Sequence, residues 1–294
     1  MNLQDIISNL NDYWAARGCV ILQPYDVEKG SATVHPATFF GTLGAKPLRA
    51  AYVDHCRRPK DGRYSIDPRR LGGFYQYQVL IKPPPADIRQ AYLDSLDLAG
   101  INTSARDIRW IEGDWTCPPL GAYGFGWEIQ VEGLEVTHFT YLQHMASFEL
   151  RPASVEIAYG LERLALCAQK KKNIFDLQWD DRLTYGQRFK AAEEQFSRYS
   201  FEETDVQALL RNLEVLEKES LSLAQRGHYL PAYDLALKFI SDYYLLQARN
   251  TIPDSEKDSL VRRAGALTRA CAAAYIKDNE PVQEHKSTGT QEHK

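Results

Sequence analysis

The scarcity of some features narrows the reading before any motif does. Only five cysteines occur in 294 residues, Cys19, Cys56, Cys117, Cys167 and Cys271. They are odd in number, far apart and never in a CxxC pair, so neither a disulfide framework nor a zinc site is indicated. Free thiols in a reducing cytosol follow, and the expected location is cytoplasmic. No apolar run approaches the ~20 residues of a membrane span. The N-terminus "MNLQDIISNLNDYW" carries acids where a signal peptide carries basic residues. The formal net charge is -4, which excludes a basic nucleic-acid coat and makes any basic site a local one.

Against that background one stretch stands out, "CRRPKDGRYSIDPRR", residues 56–70, with five arginines, a lysine, two prolines and a glycine. Strand-like "AAYV" precedes it and "FYQYQVLI" follows it. The second strand alternates Phe74, Gln76 and Gln78 against Tyr75, Tyr77 and Val79. A long hairpin that aims guanidinium groups over amides and aromatics can hold a triphosphate at its loop and a base against its strand. A charge-assisted hydrogen bond contributes roughly 1.5–3 kcal/mol there, and stacking on an aromatic ring about 0.5–2 kcal/mol. A solvated charged face is the competing reading.

The remaining pattern divides the chain in two. Leu3, Ile6, Ile7, Leu10 and Trp14 predict an amphipathic helix over 3–16, and "CVILQP" a short strand ended by Pro24. "DIRWIE", "GWEIQVEG" and "LEVTHFTYLQ" read as further strands, with a tight turn at "EGLE", and "DIRQAYLDSLDLAG" as a helix between strands. Beyond about residue 190, apolar stripes over 203–225, after "LPAYD", and over 254–277 predict a helical bundle. The tail 281–294, with its repeated "EHK", has the composition of a disordered segment. In "VEIAYGLERLALCAQ", residues 155–169, a strand meets Gly160 and passes into a helix with Arg163 on its first turn.

The arginine loop and "GLER", in this order, resemble motifs 2 and 3 of class II aminoacyl-tRNA synthetases, with Arg57 or Arg58 opening motif 2 and Arg70-x-x-x-Phe74 closing it. Helix 3–16 and the strand ending at Pro24 resemble motif 1. "NDYWAARGCVILQPYD", "HPATFFGTLG", "GFGWEIQVEGLEVTHFTY" and "YGLERLA" are similar to the alpha subunit of bacterial heterotetrameric glycyl-tRNA synthetase, over residues 3 to about 277. The resemblance implies an α+β fold: a class II antiparallel sheet flanked by helices as a catalytic core over 1–170, then a remaining core segment and helical domain over 171–280. Departures exist: Cys56 stands where that family has serine, "SIDPRRL" where it has "GENPNRL", His138 where it has glutamine, and "EKGSAT" where it has "EVGAGT".

The implied reaction is attack of the glycine carboxylate on the α-phosphate of ATP. By resemblance, Arg58 or Arg57 bridges that carboxylate and the α-phosphate. Arg163 lies over the adenine and reaches the γ-phosphate, Phe74 supports the base, and Arg63 and Arg70 take the outer phosphates. Tyr75 and Gln76 join the ATP set. Glu135, with His138 on the same strand, is the expected holder of Mg2+, an ion that prefers oxygen and phosphate ligands. Glu156 or Glu128 would bind the substrate ammonium, with Gln78 beside it.

Selecting glycine is a steric problem, because space for a methyl group would favour alanine by about 0.8 kcal/mol. Trp115 and Trp127, with Thr137 or Thr140, are the expected walls. The implied partners are a homodimer mate met through the N-terminal helix, a beta subunit in an alpha2beta2 assembly, and tRNA(Gly). The run Lys170-Lys171-Lys172 is too short to serve as a tRNA-binding domain. A catalytically dead synthetase-like regulator and another acyl-adenylate-forming enzyme remain alternatives.

Overall fold

In a computed structural model, which describes residues 1–279, a seven-stranded sheet organises the first half of the chain. The strands are β1 (Val20–Ile21), β2 (Leu48–Arg57), β3 (Gly73–Lys82), β4 (Ile108–Cys117), β5 (Ala122–Val131), β6 (Leu134–Met145) and β7 (Phe148–Gly160). Their order is β1-β2-β3-β7-β6-β5-β4, with β1 parallel to β2 and every other pairing antiparallel. Among the described residues the α-helices are α1 (Leu3–Ala16), α2 (Pro36–Thr42), α3 (Ile88–Leu98), α4 (Leu161–Ala168), α5 (Tyr185–Arg198), α6 (Val206–Gln225), α7 (Tyr229–Arg249) and α8 (Asp254–Asn279).

Sequence and packing agree closely at α1. Asn2 and Asp5 form a capping box, and Leu3, Ile6, Leu10 and Trp14 are buried. Each such side chain contributes ~1.5–3 kcal/mol on leaving water. This stripe is consumed by the chain's own core, together with Tyr77, Val79 and Ile81 of β3 and Tyr92 of α3. The outer side of α1 is polar, and at the β1 sheet edge Val20 is 61% exposed. The opposite face of the sheet buries Leu80, Leu142 and Leu150 against α2, α7 and α8. Leu213, Phe239, Leu246, Leu260 and Leu267 knit α6, α7 and α8 into a bundle.

Several elements differ from the sequence reading. β4 continues past the strand-like "DIRWIE" through Trp115 to Cys117, because each residue from Gly113 to Cys117 pairs with β5. β7 runs for 13 residues, far longer than "VEIAY" suggests. Helices α2 and α5 were not anticipated. α5 has a clear start signal, a capping box of Thr184 and Gln187. The expected turn at "EGLE" is present, joining β5 to β6. The segment 281–294, expected to be disordered, lies outside the described residues.

Candidate active site

A cleft of about 700 Å3 opens over the end of the sheet where β2, β3, β6 and β7 converge. Its lining brings together Arg58, Arg70, Phe74, Gln76, Trp115, Glu135, Thr137, His138, Glu156 and Arg163. Strand alternation decides which half of each strand enters. Just past the end of β2, Arg58 keeps the side of Tyr52 and Cys56, and its guanidinium stands 5.0 Å from the Phe74 ring while Nε donates to the Gly30 carbonyl at 2.7 Å.

Arg57, next in sequence, points to the other side of the β2–β3 ribbon. There it stacks over Phe196 at 3.8 Å and pairs with Glu28 at 3.4 Å. Tyr75 also falls outside the cleft, against His55, Trp179 and Phe189. A second cavity, about 680 Å3, occupies this far side and is lined by Arg57 and Tyr75.

Further expected residues separate by the same logic. Trp127 lies on the face of Trp110 and Phe139, with the Arg89 guanidinium 3.9 Å above its ring, so it belongs to the core under α3. Thr137 borders the cleft, yet its register partners Ile129 and Tyr159 are core residues. Thr140 is buried between Gly126 and Glu156 and does not reach the cavity. Glu128 stays outside the lining and accepts from Gln130 Nε2 at 2.7 Å. Arg63 turns away, donating to the Lys60 and Gly62 carbonyls. Gln78 is buried beneath the cleft, where its amide donates to Glu156.

The electrostatics of the four carboxylates that matter differ sharply. Arg163 Nη1 donates to Glu135 Oε2 at 2.8 Å, and His138 Nε2 lies 3.0 Å from Oε1. Burial would raise the Glu135 carboxyl, but the hydrogen bond from His138 and the charge of Arg163 outweigh it and hold the group at about 2. Glu156, 1% exposed on the cleft floor, has no such cation. Burial pushes it up to about 6, with hydrogen bonds from Thr33 and Gln78 opposing the rise. Glu162 is likewise raised by burial, to about 7, against hydrogen bonds from the Tyr75 N–H and the Tyr185 hydroxyl. At the rim, Asp61 Oδ1 accepts from Arg70 Nη2 at 2.9 Å.

As a magnesium site this donor set has a definite limit. Among the described residues no cluster of three or more His, Cys, Asp or Glu side chains is placed to hold a metal ion. Glu135 is an ionised oxygen donor at the cleft, and the imidazole of His138 is a poor ligand for so hard a cation. The described residues therefore do not form an all-protein metal centre, and Glu135 is an oxygen donor here that could meet a divalent cation carried in on a substrate.

The sequence profile of the glycyl-tRNA synthetase alpha subunit family matches residues 3–280. The chain belongs to that family. Two solved structures show a weaker likeness. PylSc, a pyrrolysyl tRNA synthetase of Desulfitobacterium hafniense, is 15% identical over 63% of this chain and 73% of its own, with a TM-score of 0.43. A second pyrrolysyl-tRNA synthetase structure from Desulfitobacterium hafniense is 14% identical over 63% of this chain and 75% of its own, with a TM-score of 0.42. These scores are too low to carry an argument.

The family position of Cys56 is occupied without disturbance, its buried thiol lying 3.4 Å from Gln76 Oε1, which also accepts from the Ala32 N–H. The helical half supplies cleft residues that sequence reading missed, Tyr243, Tyr244, Gln247 and Val261. Their stripe reads as bundle core, and nothing in helical spacing shows that one edge of α7 faces a sheet. The loop at Gly30 was noticed only as a departure from the family. An added Cβ on Gly30 would lie 2.8 Å from the Tyr244 ring, so this residue fits by having none.

Proposed function

We propose that the cleft joins glycine to ATP, forming glycyl-adenylate and releasing pyrophosphate, and that a beta subunit completes transfer of glycine to tRNA(Gly). The observation that carries this reading is the pairing of a buried carboxylate without a cation, Glu156, with a cleft mouth lined by Arg58, Arg70 and Arg163. An α-amino acid presents the complementary charges, an ammonium for Glu156 and a carboxylate for Arg58.

In the reaction a glycine carboxylate oxygen attacks the α-phosphorus, a new P–O bond forms, and the bond to the pyrophosphate oxygen breaks. Both reactants are anions, so fixed positive charge does most of the work. Arg58 holds the two together, with Phe74 fixing its guanidinium plane. Arg163, already oriented by Glu135, takes the nucleotide from the opposite wall, and Arg70 receives the departing phosphates. Glu135 would hold the magnesium that ATP brings, which when bound would supply further charge neutralisation. Trp115 limits the space beside the substrate Cα.

The assembly follows the family: an alpha2beta2 heterotetramer working in the cytoplasm. Val215 on α6 and Leu230 on α7 are 61% and 54% exposed and support a partner surface on the helical half. The outer side of α1 and the β1 edge are the surfaces left for a homodimer mate. Among the described residues no helix is long and apolar enough to cross a membrane. The test is ATP–pyrophosphate exchange with each amino acid in turn, followed by tRNA charging with and without the beta subunit. Glycine alone should support exchange, and charging should need the partner. Exchange driven by a different amino acid, or by none, would sink the proposal.

A further inference from the structure

The arginine loop is held from behind by a residue outside all three synthetase motifs. Glu193, on α5, is 6% exposed and gives its carboxylate to main-chain N–H groups rather than to a side-chain cation. Oε1 accepts from Gly72 at 3.0 Å and from Arg63 at 3.3 Å. Oε2 accepts from Gly72 at 3.1 Å and from Gly73 at 3.4 Å. Arg63 lies on the outgoing limb of the loop and Gly72 and Gly73 on the returning one. One carboxylate therefore ties the two limbs together at their base.

The tie leads directly to the cleft. The peptide unit next along from the Gly72 N–H ends in a carbonyl that accepts from the Arg58 N–H at 2.7 Å. The order Glu193, Gly72, Arg58 is thus a continuous path of hydrogen bonds from α5 to the arginine over the Phe74 ring. Neighbouring contacts fix the same loop to the same helix. Ser197 Oγ accepts from the Tyr64 N–H at 3.0 Å, and Ser65 Oγ donates to the Lys190 carbonyl at 2.9 Å. Gly62 packs so closely on Ser197 that a Cβ there would fall 2.6 Å from its Oγ. The five arginines and the lysine of the loop repel one another, and the Glu193 carboxylate joins Asp61 and Asp67 as an anion among them.

We infer that Glu193 is a positioning residue for nucleotide binding, acting through Gly72 to set the main chain of Arg58. This rests on the reading of the cleft as an adenylate-forming site. Arg58 also meets the glycine carboxylate, so both substrates feel the tie, while the contacts at Glu156 and Trp115 lie outside it.

The test uses the full chain with its beta subunit, comparing wild type with Glu193→Gln and Glu193→Ala. Gln is close to isosteric and keeps one accepting oxygen, so it serves if the Ala variant does not fold. Losing charge-assisted hydrogen bonds of this kind should raise the KM for ATP about tenfold, with a rise for glycine through its carboxylate on Arg58, while discrimination of glycine against alanine, set at Trp115, stays within about twofold. Combined with Arg58→Ala, Glu193→Gln should add no further loss in ATP, as two residues acting through one path behave. Altered discrimination between glycine and alanine, or additive losses in the double variant, would overturn the inference. If wild type shows no amino-acid-dependent exchange, the adenylation reading fails, and Glu193 is judged by hydrogen exchange. Amides of Arg63, Gly72 and Gly73 exchanging at least tenfold faster in Glu193→Gln, with α6–α8 unchanged, support its hold on the loop. Unchanged protection refutes it.

Discussion

The two sides of the β2–β3 ribbon carry cavities of nearly equal volume, about 700 and 680 Å3. Arg58 enters one and Arg57 the other, though they are adjacent in sequence. The front cavity combines Arg58, Arg70 and Arg163 with the buried carboxylate of Glu156. On the back, Arg57 rests on an aromatic ring and pairs with Glu28, while Glu193 is engaged by the loop's main chain. Size does not tell these cavities apart. Their polar groups do: the front sets three arginines around the buried Glu156, whereas on the back Arg57 is stacked and paired and Glu193 is taken up by the loop's main chain.

The sharpest way to break this comparison is to remove each arginine alone. Arg58→Ala should lower glycine-dependent pyrophosphate exchange by about 100-fold, the usual scale for losing one preorganised charge at a reacting centre. Arg57→Ala should stay within about threefold. Equal losses in the two variants would show that the ribbon works as a unit and that the front-and-back division is wrong.

Glu156 offers a second way, through pH. Its carboxyl in the empty cleft titrates at about 6, raised by burial. Below that value the proton must leave before the substrate ammonium can pair, while above it the carboxylate is already ionised. Glycine binding should therefore weaken by about tenfold per pH unit as pH falls below about 6, and should level off above it. Calorimetric titration of glycine across pH 5–8 reads this directly, and Glu156→Gln should flatten the curve. A flat curve in the unaltered protein would remove Glu156 from the ammonium site.

The two tryptophans sharpen the comparison further, since they divide between cleft and core. Trp115→Ala should raise alanine activation relative to glycine roughly tenfold, within the range that one methylene of space commands. Trp127→Ala should leave discrimination unchanged and instead lower stability by roughly 3 kcal/mol, a core-truncation effect. Competition between the two amino acids in the exchange assay, with denaturant unfolding alongside, separates these outcomes.

Much of this molecule is legible in its sequence. The stripe of α1, the strands β2, β3, β5 and β6, the Gly160 junction and the three C-terminal helices all appear in periodicity. The arginine loop and Glu156 appear by resemblance to the family. What the sequence withholds is parity. β2 buries consecutive residues, Ala50, Ala51 and Tyr52, on both of its faces, so neither Arg57 nor Arg58 is marked by the polarity of its neighbours. Trp115 and Trp127 sit in strands that are each plausible on either face until register assigns one to the cleft. Glu193 is invisible for another reason. It reads as one more charge on a polar helix, and only the folded loop supplies the N–H groups that give it a purpose.

The close fit of Tyr244 against Gly30 bears on modularity. By composition the chain looks like a catalytic unit with a helical appendage, and a protein engineer would cut it near residue 170. That cut discards the aromatic wall contributed by α7 and the α5 carboxylate that ties the arginine loop. A chimera that grafts the sheet onto helices from another source would inherit a cleft open on one side. It would regain its shape only if the donor placed an aromatic ring where Tyr244 stands, above a residue as small as Gly30.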